Sequence, residues 1–139
     1  MTTFEGWLID KSALVRLPAS PDHDTWLNRI QRGLVMTTPL TLAELGFSAV
    51  NARTWTQLQR EPPLALMPVV GMNPRAESRA LEVQGLLASC GYHRAVGVAD
   101  LFIAAAAEES GLTLLHVDKD FELIAKITAQ PVERLRGDL

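Results

Sequence analysis

Between Val98 and Ala107 the chain carries a single charged side chain, Asp100, in an otherwise apolar helical stretch, Leu101-Phe102-Ile103-Ala104-Ala105-Ala106-Ala107. A helix that is apolar nearly all round has to be buried on most sides. The rest of the chain must therefore supply the layers that cover it, and the pattern of the remaining segments says what those layers are.

Short apolar runs alternate with helical patterns along the whole sequence. Gly6-Trp7-Leu8-Ile9, Leu34-Val35-Met36-Thr37-Thr38, Leu112-Thr113-Leu114-Leu115-His116-Val117 and Pro131-Val132-Glu133-Arg134-Leu135 read as strands. Leu64-Ala65-Leu66-Met67-Pro68-Val69-Val70 is apolar enough for a further strand, which Pro68 would confine to an edge or bend. Between them lie helical stretches. These are Lys11 to Leu17, a segment capped by Asp22 or Asp24 and ended by Gly33, one beginning near Thr41, Thr54 to Arg60 before Pro62-Pro63, and Phe121 to Ile127. The clearest amphipathic helix starts at Asn73-Pro74, with Ala76, Ala80, Val83 and Leu87 on one face, and stops at Gly91. Alternation of this kind gives an α/β domain with a doubly wound parallel sheet.

A chain of 139 residues that is 47% hydrophobic is expected to form one domain, residues 1–139, with a core large enough to need neither disulfide nor structural metal. The lone Cys90 agrees with a reducing, cytoplasmic setting. The N-terminal residues Met1 to Trp7 lack the basic and apolar regions of a signal peptide, and no run approaches a membrane span.

The chemistry lies in carboxylates. Asp10, Glu44, Asp100 and Asp118 stand where an apolar run gives way to a turn or at a helix start, and Asp120 follows at the same edge. In a parallel α/β sheet the carboxyl ends of the strands line up, so residues distant in sequence converge there. Carboxylates gathered without partners repel one another unless a divalent cation lies between them. Each acid also has a plain structural reading. Asp10 is a natural helix N-cap, with Ser12 as its competitor; Glu44 can face solvent; Asp118 and Asp120 flank Lys119 in a turn. Asp100 is the most telling, since the helix dipole favours an acid there by about 0.3–1 kcal/mol while burial without a partner costs more. With the five acids set aside, the net charge of −3 becomes mildly basic, which permits an RNA-binding surface.

Ile9-Asp10-Lys11-Ser12-Ala13-Leu14, Thr41-Leu42-Ala43-Glu44, Val98-Ala99-Asp100-Leu101-Phe102-Ile103-Ala104-Ala105 and Leu114-Leu115-His116-Val117-Asp118-Lys119-Asp120-Phe121 together resemble, in order and spacing, the acidic motifs of PIN-domain ribonucleases, and within them those of VapC toxins of type II VapBC toxin–antitoxin systems. The resemblance covers essentially the whole chain. It implies a three-layer α/β/α fold with a central parallel sheet and an endoribonuclease dependent on Mg²⁺ or Mn²⁺. It also implies a homodimer neutralised by a cognate VapB-type antitoxin, with DNA bound only through that antitoxin, and an RNA substrate such as a transfer RNA or a ribosomal RNA loop. Position by position, the metal-binding acids fall on Asp10 and Asp100, with Glu44 and Asp118 completing the quartet and Asp120 as an additional acid; Ser12 matches a supporting hydroxyl that bonds a carboxylate or a metal-bound water.

Attack by water rather than by the ribose 2′-hydroxyl predicts a 5′-phosphate and a 3′-hydroxyl at the cut, with Glu44 or Asp118 orienting the water. Trp26 or Trp55, if exposed, would stack on an unpaired base, and arginines such as Arg29, Arg53 and Arg79 are candidates for phosphate contact, but for each the stronger reading is structural: core or dimer interface for a Trp, a solvated helix face for an Arg. His116, at a strand end, reads as a packed and hydrogen-bonded side chain rather than a base. Two other classes place acids at strand ends. A haloacid-dehalogenase-like phosphatase wants a second Asp where Ser12 stands, and a receiver domain wants adjacent acids early and a lysine late; neither arrangement is present. A silent PIN-like binding module is the remaining alternative.

Overall fold

Four of the apolar runs form strands: β1 (Trp7–Ile9), β2 (Val35–Met36), β3 (Thr113–His116) and β4 (Val132–Arg134). This computed structural model describes residues 6–137, so most of the N-terminal stretch read as lacking a leader lies outside the described residues. All four strands pair in parallel, in the order β2-β1-β3-β4. Parallel neighbours need crossovers, and the helices supply them: α1 (Lys11–Arg16), α2 (His23–Gln31), α3 (Pro39–Phe47), α4 (Ala52–Arg60), α5 (Pro74–Ser89), α6 (Val98–Glu109) and α7 (Lys119–Thr128). The fold is the three-layer α/β/α arrangement that the alternation and the resemblance called for.

Alternate side chains of a strand point to opposite faces, and here they seed two separate cores. Leu8 and Leu114 pack with Ala76, Ala80, Val83 and Leu87 of α5, with the alanines of α6, and with Phe121 and Ile124 of α7. Trp7, Ile9, Val35 and Leu115 pack on the other face with Leu14, Trp26 and Ile30. The apolar helix is buried as its composition required, with Ala107 fully covered and Ala104 2% exposed. Gly33 and Gly111 follow α2 and α6 at φ +74 and +68, the left-handed turn that ends a helix. No helix among the described residues is long and apolar enough to cross a membrane.

Three expectations are corrected. The run from Leu64 to Val70 is not a strand: Leu64–Leu66 forms a 3₁₀ turn, and only Thr37 and Val69 meet, in an isolated parallel bridge. Proline on either side explains this, because Pro62, Pro63 and Pro68 offer no N–H to a ladder. The third helix starts earlier than Thr41, at Pro39, because Thr38 caps it by accepting from the N–H of Thr41 at 3.1 Å. Asp118 to Asp120 is not a free turn: Asp118 is the N-cap of α7, and Asp120 sits in the first turn of that helix.

Candidate metal centre

The register sets the site. Ile9 pairs with Leu115, so Asp10 leaves β1 level with the end of β3, where Asp118 follows two residues after His116. The N-terminus of α6 brings Asp100 to the same edge, and the first turn of α7 brings Asp120.

Asp10 is 4% exposed and caps α1, its Oδ1 accepting from the N–H of Ala13 at 3.1 Å and from the hydroxyl of Ser12 at 2.7 Å. Ser12 does not compete for the cap. Its Oγ donates to Asp10 and accepts from the N–H of Val117 at 2.9 Å, which ties the first turn of α1 to the end of β3. Burial raises the pKa of Asp10, and the bonds from Ser12 and Ala13 oppose that rise.

Asp100, Asp118 and Asp120 each offer a carboxylate oxygen within 4.8 Å of the others. At that separation two full charges repel by on the order of 3 kcal/mol at an effective dielectric of about 20. The conflict falls on Asp100, whose pKa is raised to about 7, first by burial and then by the charge of Asp118, the hydrogen bond to Asp120 and the charges of Asp120 and Asp10. Nothing caps α6 with a side chain: Gly97 stands at its N-cap and donates its N–H to Asp120 Oδ2 at 3.4 Å. A β-carbon on Gly97 would lie 3.4 Å from Asp100 Oδ2, a tight approach at the wall of the cluster. Asp118 Oδ1 accepts from the N–H of Asp120 at 2.9 Å.

Glu44 is not in this group of three. It lies half-buried on α3, a helix that packs against both α1 and α6, and Lys11 Nζ reaches that helix at Ser48 Oγ, 3.3 Å away. Trp26 is not available to stack on a base: it is 3% exposed, meets Trp7 edge-on at 5.2 Å between ring centres, and lies under the guanidinium of Arg29. Arg79 is committed to Glu108 at 2.6 Å and to Glu82 at 2.7 Å. Trp55 is 48% exposed.

His116 is fully buried and tilted against Phe121, as expected for a packed residue. It is also hydrogen-bonded, as expected, but to a partner the sequence did not signal: Nδ1 accepts from the backbone N–H of Asp118 at 3.1 Å. The acceptor role depends on where the strand ends, which no residue spacing encodes.

The donor set is all oxygen, half-buried and crowded with like charge, which fits a hard divalent cation such as Mg²⁺ or Mn²⁺. Residues 7–127 match the PIN domain family. Ribonuclease VapC2 of Mycobacterium tuberculosis is 59% identical over 133 residues, covering 96% of this chain and 94% of that protein. Ribonuclease VapC21 of the same organism is 37% identical over 130 residues, 91% of each chain. Among solved structures, DNA-bound VapBC from Salmonella typhimurium superposes with a TM-score of 0.73 at 20% identity, covering 93% of this chain and 97% of that one. At that identity the likeness speaks for the fold alone.

Proposed function

Because the chain belongs to the PIN domain family, and within it to the VapC ribonucleases, we propose that it is the toxin of a type II toxin–antitoxin pair: a cytoplasmic endoribonuclease dependent on a divalent cation, built as one domain over residues 1–139. The observation that carries this reading is the convergence of Asp100, Asp118 and Asp120 on the edge where Asp10 is buried.

Asp100, Asp118 and Asp120, with Asp10 buried at the same edge, would hold Mg²⁺ or Mn²⁺. When bound, the cation supplies Lewis acidity, lowering the pKa of an attacking water and offsetting charge on the phosphate. The protein's part is to keep these carboxylates together; burial raises the pKa of Asp10 and Asp100, so a bound cation would be what favours their ionised forms. Ser12 holds the carboxylate of Asp10 against the end of β3, and Asp118 is fixed as a helix cap. Glu44, approaching on α3, or Asp118 takes the role of orienting the water. Water adds to phosphorus as the bond to the 3′-oxygen breaks, which leaves a 5′-phosphate and a 3′-hydroxyl. Of Trp26 and Trp55, only Trp55 is exposed and so able to stack on an unpaired base of a transfer RNA or ribosomal RNA loop.

The partners follow from the same family: a homodimer, neutralised by a VapB-type antitoxin through which alone DNA is contacted. An apolar groove of about 560 Å³ between α1, α2 and α4, lined by Leu14, Val15, Leu27, Leu45 and Leu58, suits an apolar face of that antitoxin.

The test incubates antitoxin-free protein with total RNA and Mg²⁺ or Mn²⁺ and maps new 5′ ends, with Asp100→Asn and a chelator alongside. Discrete cuts bearing 5′-phosphates, absent from both controls, are expected. Cuts that persist in the variant would assign the cleavage to a contaminant or another site, and none with any RNA would replace this reading with that of a binding module.

A further inference from the structure

Where β3 ends, the chain runs past its neighbours, and the next backbone N–H groups have no strand carbonyl to meet. Buried or half-buried donors of this kind need an acceptor. Two side chains provide them: Ser12 Oγ takes the N–H of Val117 at 2.9 Å, and His116 Nδ1 takes that of Asp118 at 3.1 Å.

The second bond fixes the imidazole. A ring nitrogen that accepts a hydrogen bond carries no proton, so the proton of the neutral ring resides on Nε2. Nε2 is buried and meets no partner among the described residues, in a residue that is fully enclosed. An unpaired buried N–H carries a stability penalty that an apolar side chain of similar size would avoid. Packing against Phe121 does not require the imidazole either, since a leucine fills much the same space. What the histidine alone contributes is the acceptor at Nδ1.

We propose that His116 is a positioning residue for the carboxylate cluster: its Nδ1 holds the backbone of Asp118, and through it the direction in which that carboxylate meets Asp100 and Asp120. The inference rests on the reading of the cluster as a cation site. Asp118 already spends Oδ1 on the N–H of Asp120, so the orientation of its carboxylate is set by the backbone from which it departs. Release of that N–H lets the residue turn away from the cluster.

Two substitutions separate positioning from packing. His116→Asn offers an oxygen where Nδ1 stands but less bulk, whereas His116→Leu offers bulk and no acceptor, and His116→Met replaces it if the leucine variant does not fold. Each full-length, antitoxin-free protein is titrated with Mn²⁺ alone, melted, and assayed for kcat and KM on RNA. For the leucine variant we expect a melting midpoint at or above wild type, Mn²⁺ affinity down at least fivefold and kcat down at least tenfold, with KM little changed. For the asparagine variant we expect a lower midpoint and Mn²⁺ affinity within twofold of wild type. The ¹⁵N shifts of the ring are expected to show Nδ1 unprotonated. Mn²⁺ affinity that follows the melting midpoint in both variants, or a protonated Nδ1 in wild type, would overturn the proposal. A wild-type protein that neither binds Mn²⁺ nor cuts RNA would instead overturn the functional reading on which it rests.

Discussion

The face where α5 packs on α6 and the edge where β1 and β3 end are solved by opposite means. On the first, small and apolar side chains meet closely, and the half-buried Arg79 has Glu108 and Glu82 within hydrogen-bond distance. On the second, three carboxylates crowd within 4.8 Å, none of them in a salt bridge with another of the described residues, and Asp100 is pushed to a pKa of about 7. Stability alone would never favour the second arrangement, because buried like charges oppose folding. One region is complete as a folded chain; the other, on the function proposed above, is completed by a cation.

Substitutions at the two regions should therefore affect different properties. The largest effect is expected for Asp118→Asn, which keeps the shape of the cap but removes a charge from the cluster; RNA cleavage should fall at least 10³-fold, about 4 kcal/mol in barrier, with the melting midpoint unchanged or higher. A loss below tenfold in a kinetic assay would remove Asp118 from the site. Leu114→Ala on the α5–α6 face should do the reverse, costing about 2–5 kcal/mol by chemical denaturation while the Mn²⁺ affinity of the folded protein stays within twofold.

A smaller effect is tied to pH. The folded pKa of Asp100 lies above its unfolded value of 3.8, so the folded state of the cation-free protein binds more protons between about pH 4 and 7. Its stability should fall as pH rises through that window, by about 1–2 kcal/mol once the half-exposure of the carboxyl is discounted, and added cation should remove the slope. Unfolding curves taken across that range would contradict this if the slope were absent, or unaffected by Mg²⁺. The smallest effect is expected for Arg79→Met, about 0.5–1 kcal/mol of stability with cleavage untouched, since its partners remain partly solvated.

The same contrast explains what could be read in the sequence. Asp10 and Asp100 were legible because each interrupts or follows an apolar stretch, so a carboxylate there has to be justified by something besides solvent. The sheet was legible because its strands are short apolar runs separated by helical periodicity. Leu64 to Val70 misled for the same reason: its composition is that of a strand, but prolines at 62, 63 and 68 withhold the donors a ladder needs. Trp26 shares a helix face with Leu27 and Ile30, which favours the core, but only the tertiary fold shows that it lies under Arg29 and beside Trp7. Asp120 was placed as an extra acid at the edge, yet it belongs to the group of three, because the helix begins at Lys119 and turns its carboxylate back toward Asp100. Glu44 shows the converse: a motif fixes its helix, whereas the direction of its side chain is decided by how α3 packs.

The most direct measurement is the melting midpoint of wild type and Asp100→Asn at pH 7.5, each with chelator and with millimolar Mg²⁺ or Mn²⁺. The account expects wild type to melt lower than the variant in chelator and to rise by several degrees with cation, while the variant shifts by a smaller amount or not at all. Equal shifts in both proteins, or none in wild type, would contradict the claim that this edge is built around a divalent ion.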